Sequence, residues 1–182
     1  MNKILHIFFI LLLVVSFPSF LFANDSNKKD SLRWYPENFE NTDSVFPPEG
    51  WQITDVDGDL HNWFLWNIPA DDGSSYAHSG NGFAASASWA DQLALSPNNR
   101  LISPPVLITP QTNMLSFWVA AQDPDFVAEH FSVSVISSDS GGHPSDTVIW
   151  DETLGSSNWS ERKLRLTHFE GQTIRVGFRH HA

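Results

Sequence analysis

No cysteine occurs anywhere in the 182 residues. No disulfide can therefore brace the fold, and no thiolate is available as a nucleophile or soft metal ligand. Basic residues are scarce as well: 10 Lys and Arg stand against 21 Asp and Glu, for a net charge of −11. Nucleic acid and anionic lipid both repel such a chain, whereas cations suit it. Beyond residue 23 no run is long and apolar enough to cross a membrane. Gly-x-Ser-x-Gly and His-Glu-x-x-His are both missing, so no hydrolase machinery is visible and no enzymatic activity is expected. No amphipathic helix with caps can be traced, and the 11 Pro and 10 Gly interrupt any long one.

What is present begins with an export signal. Lys3 precedes the apolar "ILHIFFILLLVV", which is short for a membrane span, and "FPSFLFA" adds a helix breaker at Pro18 and a small residue at Ala23. This predicts a secretory signal peptide over 1–23, a secreted or surface location, and no membrane insertion after cleavage. Losing Lys3 with the leader takes the charge from −11 to −12. Residues 24–38 are polar and aperiodic and read as a linker. The remainder is large enough, at about 160 residues counted from the cleavage point, for one domain with a real core.

From Phe39 onward the pattern has a period of two. Leu115, Phe117 and Val119 share one face, as do Phe131, Val133 and Val135, then Leu164 and Leu166, then Ile174, Val176 and Phe178. Polar residues between them mark half-buried antiparallel strands, and Pro, Gly, Asp and Ser clusters separate the runs. "GFAASASW" reads as a strand of small residues in close sheet packing. The expectation is an all-β, jelly-roll-type antiparallel β-sandwich over 39–182, without internal repeats. "GFRHHA" stops straight after a strand. The domain is therefore expected to lack its last strand, to leave the final one as an open edge, and to fold poorly.

Chemistry concentrates in "DVDGDLHNW". Asp55, Asp57 and Asp59 alternate along an extended segment, and Gly58 lets the backbone wrap. A flexible loop of several carboxylates suits Ca²⁺, a hard ion that takes six to eight oxygens; the competing reading is a solvated Asx-rich turn. Zinc is disfavoured for want of thiolates and of histidines paired at ligand spacing. An EF-hand is a poor match, because Gly falls at the fourth loop position and Trp66 stands where a bidentate Glu is needed.

"NFENTDSVFPPEGWQITDVDGDLHNW" resembles the opening of the cleaved-adhesin domains, which occur in gingipain proteases and related haemagglutinins and are distantly similar to MAM domains. "SPNNRLISPPV", "LSFWVAAQDPDFVAEHFSVSVISS" and "VGFRHHA" resemble later blocks of that family in the same order, so the likeness covers about 39–182. It implies a jelly-roll sandwich with structural calcium. Asp55, Asp57 and Asp59 match the family's carboxylates, and the resemblance adds the carbonyls of His61, Gly80 and Gly82 and the side-chain amide of Asn99. It further implies a second calcium held by Glu40 and the carbonyl of Asn38. That site normally needs an acidic pair on a final strand, which this chain lacks. Arg100 stands where the family usually has Tyr, and the spacer from Glu40 to Asp55 is longer.

The resemblance implies binding to host or extracellular-matrix proteins, extending to blood-cell surfaces or haem-bearing proteins. The alternatives are recognition of cell-surface glycans through a row of exposed Trp, and an accessory domain of a larger secreted protein with no ligand of its own. Other candidates read more plainly. Glu129-His130 is expected to make loop contacts and not to form an acid–base pair. Asp123 and Asp125 are weaker cation contacts. His180 and His181 should point to opposite faces and not chelate together. Of the eight Trp, Trp51, Trp63 and Trp118 are expected in the core, while Trp34, Trp150 and Trp159 are the better candidates for exposure, with packing still expected of them ahead of a role as a ligand platform.

Overall fold

The computed structural model describes residues 8–10, 37–40, 45–70, 72–138 and 144–182. Most of the predicted leader, the linker up to residue 36 and Trp34 lie outside the described residues. The architecture is antiparallel β throughout. Its strands are β1 (Phe8–Ile10), β2 (Gln52–Asp55), β3 (Phe64–Trp66), β4 (Phe83–Ala90), β5 (Leu93–Ala94), β6 (Asn98–Ile102), β7 (Val106–Leu107), β8 (Met114–Val119), β9 (His130–Ser138), β10 (Pro144–Thr153), β11 (Ser160–Arg165) and β12 (Thr173–His181). Among the described residues the sole helical element is a 3-10 turn at Thr167–Phe169. The strands expected around Leu115, Phe131, Leu164 and Ile174 all form, because each offers an apolar row to a shared core and a polar row to solvent.

The largest sheet runs β10-β9-β12-β6-β2, with β7 also paired to β12. A second is built on β4, flanked by β1 and β3 and joined by β5, and β8 pairs with β11. The segment Phe8–Ile10, inside the span read as a leader, pairs with the edge of β4 in this structure. Phe39, Leu101, Ile108, Leu115, Phe117, Phe131 and Phe178 are buried in one continuous core. As its small residues predicted, β4 is closely packed: Phe83, Ala84, Ala85, Ser86 and Ala87 are all buried.

The final strand corrects the sequence reading. β12 is not an open edge, because β6 pairs with it along one side and β9 along the other. Sheet order does not follow chain order, so a strand at the end of the sequence sits in the middle of the sheet. One tryptophan sorts differently from expectation. Trp51 and Trp63 are buried, whereas Trp118 is half-buried beside a smaller cluster around Phe83, Ala85 and Ala87. There its ring stacks on His78 at 3.8 Å. Trp150 and Trp159 are half-buried and packed against the apolar clusters, in line with the expectation of packing ahead of a ligand platform.

Polar groups also tie the sheets together. On β4, Ser86 accepts a hydrogen bond from Asn99 Nδ2 on β6 at 3.2 Å and lies 2.9 Å from His180 Nδ1 on β12. His180 Nε2 is 3.2 Å from Glu129 Oε2, and Ser88 Oγ donates to Glu129 Oε1 at 2.5 Å. Ser86, Asn99 and His180 are fully enclosed, so each polar atom among them that lacks a partner is a desolvation penalty. Ser86→Ala removes the hydroxyl shared by two buried partners and should lower unfolding free energy by about 1–3 kcal/mol in a urea titration. Ser88→Ala, which leaves Glu129 its His180 contact, should lower it less.

On the outer part of the molecule, Arg162 donates to both oxygens of Glu152 at 2.7 and 2.6 Å, and Trp150 Nε1 donates to the same carboxylate at 2.8 Å. The Arg162 bonds hold the Glu152 carboxyl below its ordinary value of 4.5, against the opposing effect of burial. A depressed carboxyl stabilises the folded state fully above that ordinary value, and the contribution fades as pH falls through the folded one. Arg162→Met should therefore destabilise the fold by about 1–2 kcal/mol at pH 7. Urea midpoints of variant and parent should converge as the pH is lowered below 4.5.

Candidate functional site

The acidic loop follows directly from the end of β2. Asp55 is the last residue of that strand and pairs in register with Asn99 of β6. Its Oδ1 accepts from the Gly58 N–H at 2.6 Å and its Oδ2 from the Leu60 N–H at 2.9 Å, so the chain winds around this one carboxylate. The winding is tight enough to put Gly58 at φ +75° and Leu60 at φ +71°. For a leucine that left-handed conformation is unfavourable by about 1–2 kcal/mol. The Asp59 carboxylate accepts from the His61 N–H at 2.8 Å.

Asp55, Asp57 and Asp59 bring one oxygen each to within 4.8 Å of one another. Their acidities differ accordingly. Partial desolvation raises the Asp57 carboxyl above the ordinary range, reinforced by the bond to Asp55 and by the charges of Asp59 and Asp55. Desolvation also pushes Asp55 upward, but the Gly58 and Leu60 N–H groups outweigh it and hold this carboxyl below the ordinary range. The loop thus favours the anion at Asp55 and disfavours it at Asp57.

Asn99 is the buried flank of this loop. It is 0% exposed, its Nδ2 is taken by Ser86, and its Oδ1 has no hydrogen-bond partner among the described residues. An amide oxygen left over in this way, directly across the ladder from Asp55, supplies the kind of hard donor that the carboxylates supply from the loop. The four residues make an all-oxygen set that fits Ca²⁺ by its chemistry. His61 follows immediately and is half-buried.

Glu40, whose N–H is bonded to Asn38, meets the turn that carries Gly80 and Gly82. Glu40 Oε1 accepts from the N–H groups of Asn81 and Gly82 at 2.7 and 2.8 Å, so the carboxylate clamps the "SGNG" turn to the N-terminal segment. A Cβ on Gly82 would sit 2.6 Å from the Phe39 carbonyl oxygen, and one on Gly80, at φ +66°, would collide with the Glu40 carboxylate. Asn38 Oδ1 accepts from the Glu40 N–H at 3.2 Å. Glu40 is thus held by backbone donors, and the carboxylates that gather are those of the Asp loop.

Glu129 and His130 diverge, as expected for loop contacts. Glu129 turns toward Ser88 and His180, while His130 Nε2 faces Asp151 Oδ1 at 3.0 Å. Asp123 Oδ1 accepts from the Asp125 N–H at 2.7 Å and so closes a turn. His180 and His181 do point to opposite faces. Sequence reasoning missed that His181 meets His130, with ring centroids 4.5 Å apart. Histidines 51 residues apart leave no local spacing to read, and only the β9–β12 pairing joins them.

Comparison with known proteins places this geometry. Residues 36–182 match the family model of the Cleaved Adhesin Domain. Hemagglutinin A of Porphyromonas gingivalis strain W83 is 29% identical over 163 residues, which cover 78% of this chain and 7% of that protein. Gingipain R1 of the same species is 33% identical over 118 residues, covering 65% of this chain and 6% of that protein. The chain therefore spans less than a tenth of the length of these relatives. The crystal structure of the K3 cleaved adhesin domain of Lys-gingipain, also from P. gingivalis, superposes with a TM-score of 0.58 at 28% identity. That alignment covers 74% of this chain and 84% of the other. With its antiparallel sheets, its Asp loop and a family match reaching from residue 36 to its last residue, the chain belongs to the cleaved adhesin domain family.

Proposed function

We propose that this chain is a secreted or surface-displayed adhesion module, non-catalytic, which binds host or extracellular-matrix proteins and is stabilised by Ca²⁺. Its membership of the cleaved adhesin domain family carries this reading. Calcium would be held by Asp55, Asp57, Asp59 and the Asn99 amide oxygen, with carbonyls of His61, Gly80 and Gly82 as further donors. The ion supplies charge neutralisation and a cross-link between the loop and β6, a role that disulfides fill in other exported domains. Glu40 and Asn38 would act through the turn they clamp, or hold a second calcium.

Protein ligands are favoured over glycans by what the surface offers. No described Trp is among the exposed large apolar residues, so the described residues form no row of exposed Trp for a sugar ring to stack on. Instead Leu60, 91% exposed, and Val56 are exposed apolar residues within the acidic loop. Apolar side chains held out by a rigid, charged loop suit a protein surface better than a polyhydroxylated one. Among the described residues no helix is long and apolar enough to cross a membrane.

Titration of the purified chain with CaCl₂ and with MgCl₂, followed by thermal melting, tests the metal. The melting temperature should rise by several degrees with millimolar calcium, corresponding to about 2–3 kcal/mol at a hundredfold excess over the dissociation constant. Asp57→Ala should abolish that rise. An unchanged melting temperature in calcium would reduce the loop to a solvated turn. Surface plasmon resonance on immobilised fibronectin and collagen tests adhesion, with Leu60→Asp expected to weaken capture at least fivefold. Capture that is equal for parent and Leu60→Asp would remove the loop from the contact surface.

A further inference from the structure

Three strands of the main sheet place a second group of metal-ligand side chains on its outer face, away from the acidic loop. His130 opens β9, and Thr153 of β10 is its register partner; Asp151 pairs with Ser132, two residues further along β9. On the other side of β9, His180 pairs with Phe131, so the next step of the ladder sets His181 beside His130. Alternation turns His180 into the core and His181 outward. The outcome is two imidazoles and one carboxylate whose ligand atoms lie within 4.8 Å of one another.

The details suit a metal better than a closed hydrogen-bond network. His130 Nε2 is 3.0 Å from Asp151 Oδ1, and His181 Nε2 is 3.9 Å from Asp151 Oδ2, too far for a hydrogen bond. His181 Nε2 is buried and has no hydrogen-bond partner among the described residues. His130 Nδ1 is 2.8 Å from Thr153 Oγ1. That contact orients the ring and leaves Nε2 directed at the cluster, the usual arrangement behind a metal-binding histidine. Both imidazoles line a cavity of about 1130 Å³ that is also bordered by Asp123, Asp125 and Glu129. Three carboxylates on its wall favour the entry of a cation.

We infer that His130, His181 and Asp151 form a binding site for a divalent transition metal of the zinc class, separate from the calcium loop and with its remaining coordination open to the cavity. Two imidazole nitrogens with a single carboxylate select borderline ions over hard ones, so Zn²⁺ and Co²⁺ should bind and Ca²⁺ should not. The ion would link β10, β9 and β12 across three adjacent strands. Open coordination would be completed by water or by a donor from a bound partner.

The test is isothermal titration of the untagged full chain with ZnCl₂ in excess calcium, together with the visible absorption of added Co²⁺. One Zn²⁺ per chain is expected, with d–d bands for Co²⁺ that shift when Zn²⁺ displaces it. His181→Ala and His130→Gln should each weaken Zn²⁺ binding at least a hundredfold, while calcium-dependent melting stays as in the parent and shows that the variants fold. Thr153→Val, which removes only the orienting hydroxyl, should weaken it about tenfold. His78→Ala, in the aromatic cluster by Trp118, should change nothing. If Zn²⁺ does not bind in the micromolar range, or binds His181→Ala and His78→Ala alike, the site is overturned.

Discussion

A single buried amide connects the parts of this molecule. Asn99 sits in β6, opposite Asp55 on one side and His180 on the other. Its Nδ2 is committed to Ser86 on the facing sheet, and its Oδ1 has no partner among the described residues. A fully enclosed amide oxygen carries a desolvation penalty of about 1–3 kcal/mol unless something satisfies it. The interior therefore imposes a demand for a donor or a cation at the place where the acidic loop leaves the sheet. The loop imposes the complementary demand, because three carboxylates within 4.8 Å repel one another. A hard cation between them would answer both.

From that amide the polar chain continues through Ser86 and His180 to Glu129 and Ser88. It joins β4 to the side of the main sheet three times, at Asn99–Ser86, Ser86–His180 and Glu129–Ser88. Such a network adds little net free energy when complete but penalises any misplacement of its strands. Shifting β12 by one residue would bring His181 inward and His180 to the surface, and would strand Ser86 as well. The network thus fixes the register of β12, and that register in turn sets His181 beside His130 on the other face. The loop and the histidine cluster lie on opposite sides of one ladder and depend on the same alignment.

Much of the fold was legible in the sequence. The rows around Leu115, Phe131 and Ile174 alternate with a period of two, and such alternation is a local property that needs no knowledge of partners. The small residues of "GFAASASW" likewise announced close packing. The Asp loop was readable because its carboxylates are contiguous. Sheet order was not: β12 reads as a terminal edge, yet it pairs with β9 and β6 on its two sides. For the same reason the sequence hid the network and the His130–His181 approach, which join residues far apart along the chain. Trp118 lies between the buried Phe117 and Val119, and alternation places it on the reverse face, against His78. The grip of Glu40 on two backbone N–H groups of the "SGNG" turn is likewise a contact between distant parts of the chain, which local spacing does not show.

A cation at the acidic loop would be coupled to the interior through Asn99. Amide hydrogen exchange in calcium and in EDTA tests it most directly, read residue by residue. Calcium should slow exchange in the loop amides of Gly58 and Leu60, and also in β6 around Asn99 and at His180 in the middle of the main sheet. Slowing confined to the loop, or none at all, would contradict it.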